Sequence, residues 1–216
     1  RGATLVSRSR IQAAEPEEGV VAALTHDAEG VVKEGKACFV PGALPGERVR
    51  LRRVRTRRQH DDGVLEAVLE PVPERVEPRC AHFGVCGGCA LQHLDPKEQL
   101  VVKQRELRES LFRLGGVEPR EWFEPIEGPV WSYRRRARLS ARYVRKKGRS
   151  LVGFRERGAP YVADIRHCEV LAPPLGEMIE PLAALLTSLE GRELIPQLEV
   201  AVSDRDVGIV VRHLET

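Results

Sequence analysis

Three cysteines stand close together in Cys80-Ala-His-Phe-Gly-Val-Cys86-Gly-Gly-Cys89, and a fourth follows far downstream in Arg166-His167-Cys168. A CxxC pair with a third cysteine nearby is the spacing of metal ligation in a chain with no secretory signal. Structural zinc takes four nitrogen or sulfur ligands, but the usual ribbon has two CxxC knuckles, and here the fourth cysteine is solitary. An iron–sulfur cluster also takes four thiolates. Gly84, Gly87 and Gly88 would let backbone N–H groups approach the sulfurs without a steric cost. A redox CxxC belongs in a βαβ unit, and none surrounds this one. Spacing alone leaves zinc and iron–sulfur level. His82, His93 and His167 are further candidate ligands, although isolated histidines more often serve as hydrogen-bonded or surface residues. Cys38 sits in an apolar strand pattern and reads as a small buried hydrophobe.

The elements that would position these thiols are of mixed type, an α+β chain of more than one domain. From Glu18 to Val72 the pattern is all β. Gly19–Leu24, Gly30–Val32, Lys36–Val40, Glu47–Arg57 and Gly63–Val72 are short strands, separated by turns such as Pro41-Gly-Ala-Leu-Pro-Gly46. Five strands in so short a span suit a small OB-like barrel, which removes exposed edges. In the fourth strand Val49 and Leu51 alternate with arginines, and the register slips at Arg52–Arg53 as a bulge would make it. Phe39, the lone aromatic there, alternates as a core residue. After Cys89 a helix is marked by Asp95 as N-cap, Pro96 at the first position and Glu98 in capping-box spacing. Leu100, Leu107, Leu111 and Leu114 line one face, and Gly115-Gly116 ends it. Tyr133–Tyr143 alternates as a strand, followed by strands at 151–154 and 161–165. A helix is expected over Leu175–Leu189, with Pro181 disturbing it or marking its start, and then a hairpin of 198–202 and 207–211. The hairpin's second strand leaves an apolar edge.

Charge is segregated although the net value is only +3. Arg48–Arg58 holds seven arginines, and Arg134–Arg149 holds nine Lys/Arg with no acid among them. Glu169–Glu199 carries six glutamates against the single base Arg192. Such asymmetry points to a polyanion partner, with a solvated basic surface as the plain alternative. Hydrophobic residues make up 42% of the chain, and no apolar run approaches a membrane span. The first residue is Arg, so the start reads as trimmed, and a cytoplasmic protein is expected. Five cysteines are too few for a disulfide scaffold.

The order of three motifs is recognisable. Phe39-Val-Pro-Gly-Ala-Leu-Pro-Gly-Glu47, then Cys80-x5-Cys86-Gly-Gly-Cys89-x-Leu-Gln92-His93, then Tyr133-Arg-x-Arg136 with Val152-Gly-Phe154 and Cys168, resembles the N-terminal half of bacterial 23S ribosomal RNA (uracil-5-)-methyltransferases. The resemblance covers about residues 15–215. It implies an N-terminal arm at 1–14, an RNA-binding TRAM barrel at 15–73, a cluster segment at 74–94 and a central α+β RNA-contacting domain at 95–216. It implies Cys80, Cys86, Cys89 and Cys168 as ligands of a structural [4Fe–4S] cluster. In such enzymes a Rossmann-like C-terminal domain binds S-adenosylmethionine and methylates C5 of a flipped-out uracil. No part of this chain matches that domain, so no residue here is assigned a catalytic or S-adenosylmethionine-binding role. The full-length protein is expected to be a monomeric, soluble enzyme making 5-methyluridine, and this chain alone its inactive RNA-gripping portion. Arg52, Arg53, Arg55 and Arg57 on the barrel, and Arg134, Arg136, Arg138 and Arg142 on the later strand, are the candidate phosphate contacts for loop or single-stranded ribosomal RNA. The related tRNA methyltransferase is expected to lack both barrel and cysteine cluster. Rival readings are a stand-alone iron–sulfur or zinc RNA-binding protein without activity, and a redox sensor.

Overall fold

The structure, a computed structural model, describes residues 15–214; the arm expected at 1–14 lies outside the described residues. The chain folds as two compact units. One runs up to Val76 and includes His93–Leu107, and the other joins Glu77–Gln92 to the chain from Arg108 onward.

In the first unit β1 (Glu17–Leu24), β2 (Glu29–Val32), β3 (Cys38–Pro41), β4 (Arg48–Thr56) and β5 (Asp61–Glu70) close a barrel in the order β1-β2-β3-β5-β4. β4 returns to pair with β1, and only the β3–β5 pairing is parallel. The alternation in the sequence is the cause. Val49 and Leu51 are fully buried between exposed Arg48 and Arg50, and they join Val21, Val32, Cys38, Val40 and Ala43 in one core. Each such Val or Leu adds about 1.5–3 kcal/mol when fully buried. Along β4 and β5 the register shifts between Arg48 and Val49, between Arg50 and Leu51, and between Arg53 and Arg55, so the expected slip is one of several and falls just after Arg53. These bulges bend the strand enough to close the barrel. Phe39 is not core: it is half-buried and stacks on His60 with ring centroids 4.1 Å apart.

A buried ion pair shapes the turn after β3. Glu47 is fully buried, and its Oε2 accepts the Leu44 N–H at 2.8 Å. Arg75 grips both carboxylate oxygens and also donates to the Gly42 carbonyl at 2.7 Å. The Gly-Ala-Leu-Pro-Gly-Glu string is thus a turn wrapped around its own carboxylate.

Helix α1 (Pro96–Gly115) begins as the sequence indicates, with Asp95 Oδ1 accepting the Lys97 N–H at 2.9 Å. The capping box does not close in the expected way, because the Asp95 N–H is already donated to the Glu74 carbonyl. The leucine stripe is not buried either: no residue of α1 is, and Leu114 is 88% exposed. Gly116, at φ 60°, ends the helix.

In the second unit β6 (Arg136–Val144), β7 (Arg149–Gly153), β8 (Gln197–Val202) and β9 (Val207–Arg212) form an antiparallel sheet in the order β7-β6-β8-β9. Helix α2 (Ile179–Ser188) covers one face, burying Ile179, Leu182, Ala183 and Leu186 against Ala137, Leu139, Val152, Leu198 and Val200. α2 starts at Ile179, later than expected, and Pro181 falls in its first turn, where a missing N–H costs nothing. The strand expected at 161–165 is absent: Val162 makes one isolated bridge to Arg155, and Val162, Ala163 and Ile165 are core-lining coil. An apolar run shows burial, but not which backbone conformation achieves it.

Candidate functional site

The second unit brings the four motif cysteines together. Cys80, Cys86 and Cys89 lie on the turns of 77–92, Cys168 lies in the loop ahead of α2, and all four line one pocket. Phe83, Phe154, Ile165 and Val170 supply its apolar walls. The empty space, counted out to where the pocket opens, is about 330 Å³.

Backbone hydrogen bonds hold the loop in place. The Phe83 N–H donates to the Cys80 carbonyl at 3.0 Å and the Cys86 N–H to the His82 carbonyl at 2.9 Å. The Gly87 N–H donates to the Arg155 carbonyl at 2.8 Å, and the Arg157 N–H to the Val85 carbonyl at 2.9 Å, so the loop is tied to the chain leaving β7. The Gly-Gly pair is needed for that approach. A Cβ on Gly87 would lie 3.0 Å from the Arg155 carbonyl oxygen, and one on Gly88 would lie 2.9 Å from Cδ2 of Phe154. The Gly88 N–H also faces the Cys86 Sγ at 3.5 Å, as the glycines were expected to allow.

Burial pushes the Cys86 thiol up; the Gly88 N–H works against that, and Cys168, Cys89 and Cys80 add to it as neighbouring negative charges. Burial likewise raises the Cys168 thiol, opposed by hydrogen bonds from the Val170 and Leu171 backbone. N–H donors thus face two of the sulfurs in a pocket where bare thiolates would repel one another. A positive centre reverses that balance, since a bound metal takes the place of the thiol protons. Among the described residues, no three His, Cys, Asp or Glu side chains close tightly enough to hold a single metal ion. The four thiols line a common space.

Of the histidines, His82 and His167 line the pocket and His93 is buried in the first unit. His82 Nε2 accepts the Arg166 N–H at 3.4 Å, and His167 Nε2 lies 3.6 Å from Glu169.

The eight candidate arginines fall into distinct environments. Arg53 is only 19% exposed at its side chain, pairs with Glu17 and Asp61, and donates to the Lys36 carbonyl at 2.8 Å. Arg52 pairs with Glu66, and Arg57 with Asp62. Arg55, exposed, has no ion-pair partner among the described residues, and nor does Arg58. In the second unit Arg136, Arg138 and Arg142 project from one face of β6, opposite the buried Ala137, Leu139 and Ala141. Arg134 is half-buried, its guanidinium 5.7 Å from the centroid of Phe154, so it packs behind a pocket wall.

Sequence reasoning missed several contributors. Phe154 closes over Gly88, and Gln92 Oε1 accepts the Cys80 N–H at 3.2 Å. The signal for Gln92 was present in the Cys89-x-Leu-Gln92-His93 string. Nothing in the sequence announced that Glu17, Asp61 and Glu66 would neutralise arginines of β4, because ion pairing across a closed barrel depends on which strands it brings together.

No protein-family model matches the chain. Its sequence is 48% identical over 202 residues to the 23S rRNA (uracil(1939)-C(5))-methyltransferase RlmD of Nitrosococcus oceani, covering 93% of this chain and 45% of that protein. It is 43% identical to the protein of the same name from Alcanivorax borkumensis, covering 97% and 48%. The chain therefore spans about half the length of these relatives. Among solved structures, the Pyrococcus abyssi tRNA (uracil-54, C5)-methyltransferase in complex with S-adenosyl-L-homocysteine superposes with a TM-score of 0.63 at 25% identity, over 92% of this chain and 46% of that one. A span that long cannot omit the barrel, so the expectation that a tRNA-modifying relative lacks it is corrected.

Proposed function

This chain is homologous to about half the length of the 23S rRNA (uracil-C5)-methyltransferases, and from that kinship we propose that it is the RNA-recognising, cluster-binding portion of an S-adenosylmethionine-dependent enzyme that forms 5-methyluridine in ribosomal RNA. In this reading residues 15–73 are an OB-like TRAM barrel, 74–94 a cluster segment and 95–216 a central RNA-contacting domain. The methyl-transfer machinery belongs to the length of the relatives that this chain does not span. Ribosomal RNA is favoured over tRNA by the much higher identity to the rRNA-named relatives.

The observation that carries the reading is the gathering of Cys80, Cys86, Cys89 and Cys168 in one apolar-walled pocket with N–H donors on two sulfurs. Four thiols lining one pocket suit zinc or a [4Fe–4S] group alike, and the choice of [4Fe–4S] rests on the resemblance in motif order. The cluster would supply a rigid four-point cross-link. Around it, Gly88, Val170 and Leu171 present N–H groups to sulfur, and Phe83 and Phe154 keep water away. The link would fix the 77–92 loop against the chain on both sides of Cys168. Arg55, Arg136, Arg138 and Arg142 hold RNA phosphates, and the enzyme's other half receives the extruded base.

Anaerobic purification of the chain tests the centre: iron and acid-labile sulfide in equal amounts, both lost in Cys168→Ser, support the cluster, and stoichiometric zinc without iron overturns it. RNA binding that falls steeply with salt supports the grip; a flat salt response overturns it.

A further inference from the structure

The sheet of the second unit has one face against α2; on the other, Leu151 of β7 is buried, while the arginines of β6 and β9 are exposed. Cross-strand register assigns this other face: Arg138 stands opposite Glu199, Arg136 opposite Ala201, Val210 opposite Glu199 and Arg212 opposite Gln197. Arg136, Arg138, Arg142 and Arg212 therefore share one surface of β6, β8 and β9, and all are exposed. Glu199 sits in the middle of them, its side chain only 19% exposed. Its Oε1 accepts from Arg212 Nε at 2.9 Å and Nη2 at 2.6 Å, and stands 4.0 Å from Arg138 Nε. Arg136 and Arg142 have no ion-pair partner among the described residues. Ala201 and Gly208, both small, stand in the row of Arg136.

A carboxylate centred in an arginine field occupies the place that a phosphate would take, with the same fork geometry that guanidinium offers to both. We propose that this face binds RNA phosphates and that Glu199 is its internal counter-ion, holding Arg212 and Arg138 ordered until a phosphate displaces it. The proposal rests on the RNA reading above and adds Arg212 and the Glu199 exchange to it. Pre-ordering by Glu199 keeps two flexible side chains in register, while competition from Glu199 weakens contact with any RNA that does not present phosphates at the right places. Glu199 is thus a selectivity element, and its cost is affinity.

The exchange makes a signed prediction: removing the carboxylate tightens non-specific binding. Anisotropy of a fluorescein-labelled hairpin RNA with a uridine loop is measured on the full chain between about 50 and 200 mM salt. Glu199→Gln, nearly isosteric, should bind about three- to tenfold tighter at low salt, with a salt slope steeper by about one phosphate contact or more. Arg212→Ala in the same background should return most of that gain. Glu193→Gln makes the same change in net charge, but Glu193 pairs with Arg145 and not with this face, so its affinity should stay at the wild-type value. A Glu199→Gln chain with wild-type affinity and slope overturns the proposal, as does an equal gain in Glu193→Gln, which would make net charge the cause. If soluble polyglutamate competes as well as RNA, the face is selective for acidic protein and the proposal falls. Failure of Glu199→Gln with salt-sensitive wild-type binding overturns this inference alone. No measurable RNA binding by any variant overturns the RNA reading with it.

Discussion

Gly88 lies against the ring of Phe154 so closely that a Cβ there would stand 2.9 Å from the ring's Cδ2. The ring belongs to the chain just after β7, the glycine to the loop carrying Cys86 and Cys89, so this contact joins that loop to a wall of the pocket that Cys168 also lines. Gly88→Ala should cost about 1–3 kcal/mol by overpacking and lower thermal stability, and on the proposed cluster reading it should lower iron content as well. Phe154→Leu in the same background should recover part of both. Full metal loading and an unchanged melting temperature in Gly88→Ala would show that the loop can shift without consequence.

Arg53 and Arg55, neighbours on β4, should separate fold from function. Arg53 is clamped by Glu17, Asp61 and the Lys36 carbonyl, whereas Arg55 is exposed and unpaired among the described residues. Arg53→Ala should lower stability by about 1–3 kcal/mol, since it leaves Asp61 with Lys36 alone. Arg55→Ala should leave the melting temperature within a degree or so of wild type and weaken RNA binding, reducing the salt slope by about one contact. Reversed effects in the two variants would mean that the ion pairs of Arg53 open readily in solution. The clamp also has a pH signature. Hydrogen bonding from Lys36, and then from Arg53, holds the Asp61 carboxyl below its usual range despite burial. Its contribution is present at neutral pH and is lost as acid protonates it below the ordinary carboxylate range.

Glu47 and Arg75 give a third test. Glu47 is fully buried, so Glu47→Ala leaves the Leu44 N–H without its acceptor and Arg75 with the Gly42 carbonyl alone, and should cost about 3–5 kcal/mol. Chemical denaturation of the chain, followed by a probe in the barrel, measures this. A loss below about 1 kcal/mol would mean that water replaces the carboxylate, and that the turn after β3 is not organised by it.

How far these features were legible depends on their range along the chain. Alternation placed all five barrel strands, because Val49 and Leu51 must face inward wherever the barrel closes. The cysteine string picked out thiols that the fold gathers around one pocket, since three of its members are local. The fate of the arginines was not legible: Arg53 and Arg55 are equal in sequence, and only barrel closure brings Glu17 and Asp61 to one of them. The leucine stripe of α1 promised burial that the described residues do not supply, since periodicity shows which face is apolar and not what covers it. Tyr161–Ile165 reads as a strand by composition, yet it packs as coil because its partner edge is engaged only at Val162.

Cys38 provides the last test, in the opposite direction of pH from Asp61. Its side chain is fully enclosed in the barrel core, and a Cβ on Gly63 would lie 2.7 Å from its Sγ. Burial pushes this thiol up to about 11, with Arg53 pulling against it. In the unfolded chain the thiol ionises at its ordinary value near 9. Folding therefore favours the protonated form, and the associated stability is complete below about pH 9 and lost as the pH rises toward 11. At about 1.4 kcal/mol per pH unit the loss approaches 2–3 kcal/mol. Other groups titrate in the same range, so the measurement is the difference between wild type and Cys38→Ala. Wild type starts more stable at neutral pH, because alanine leaves a small cavity, and that advantage should shrink steadily between pH 9 and 11. In the native protein at neutral pH, Cys38 should also resist alkylation until the barrel is unfolded. A constant difference between the two proteins across that window would mean that the thiol ionises as easily inside the barrel as outside it.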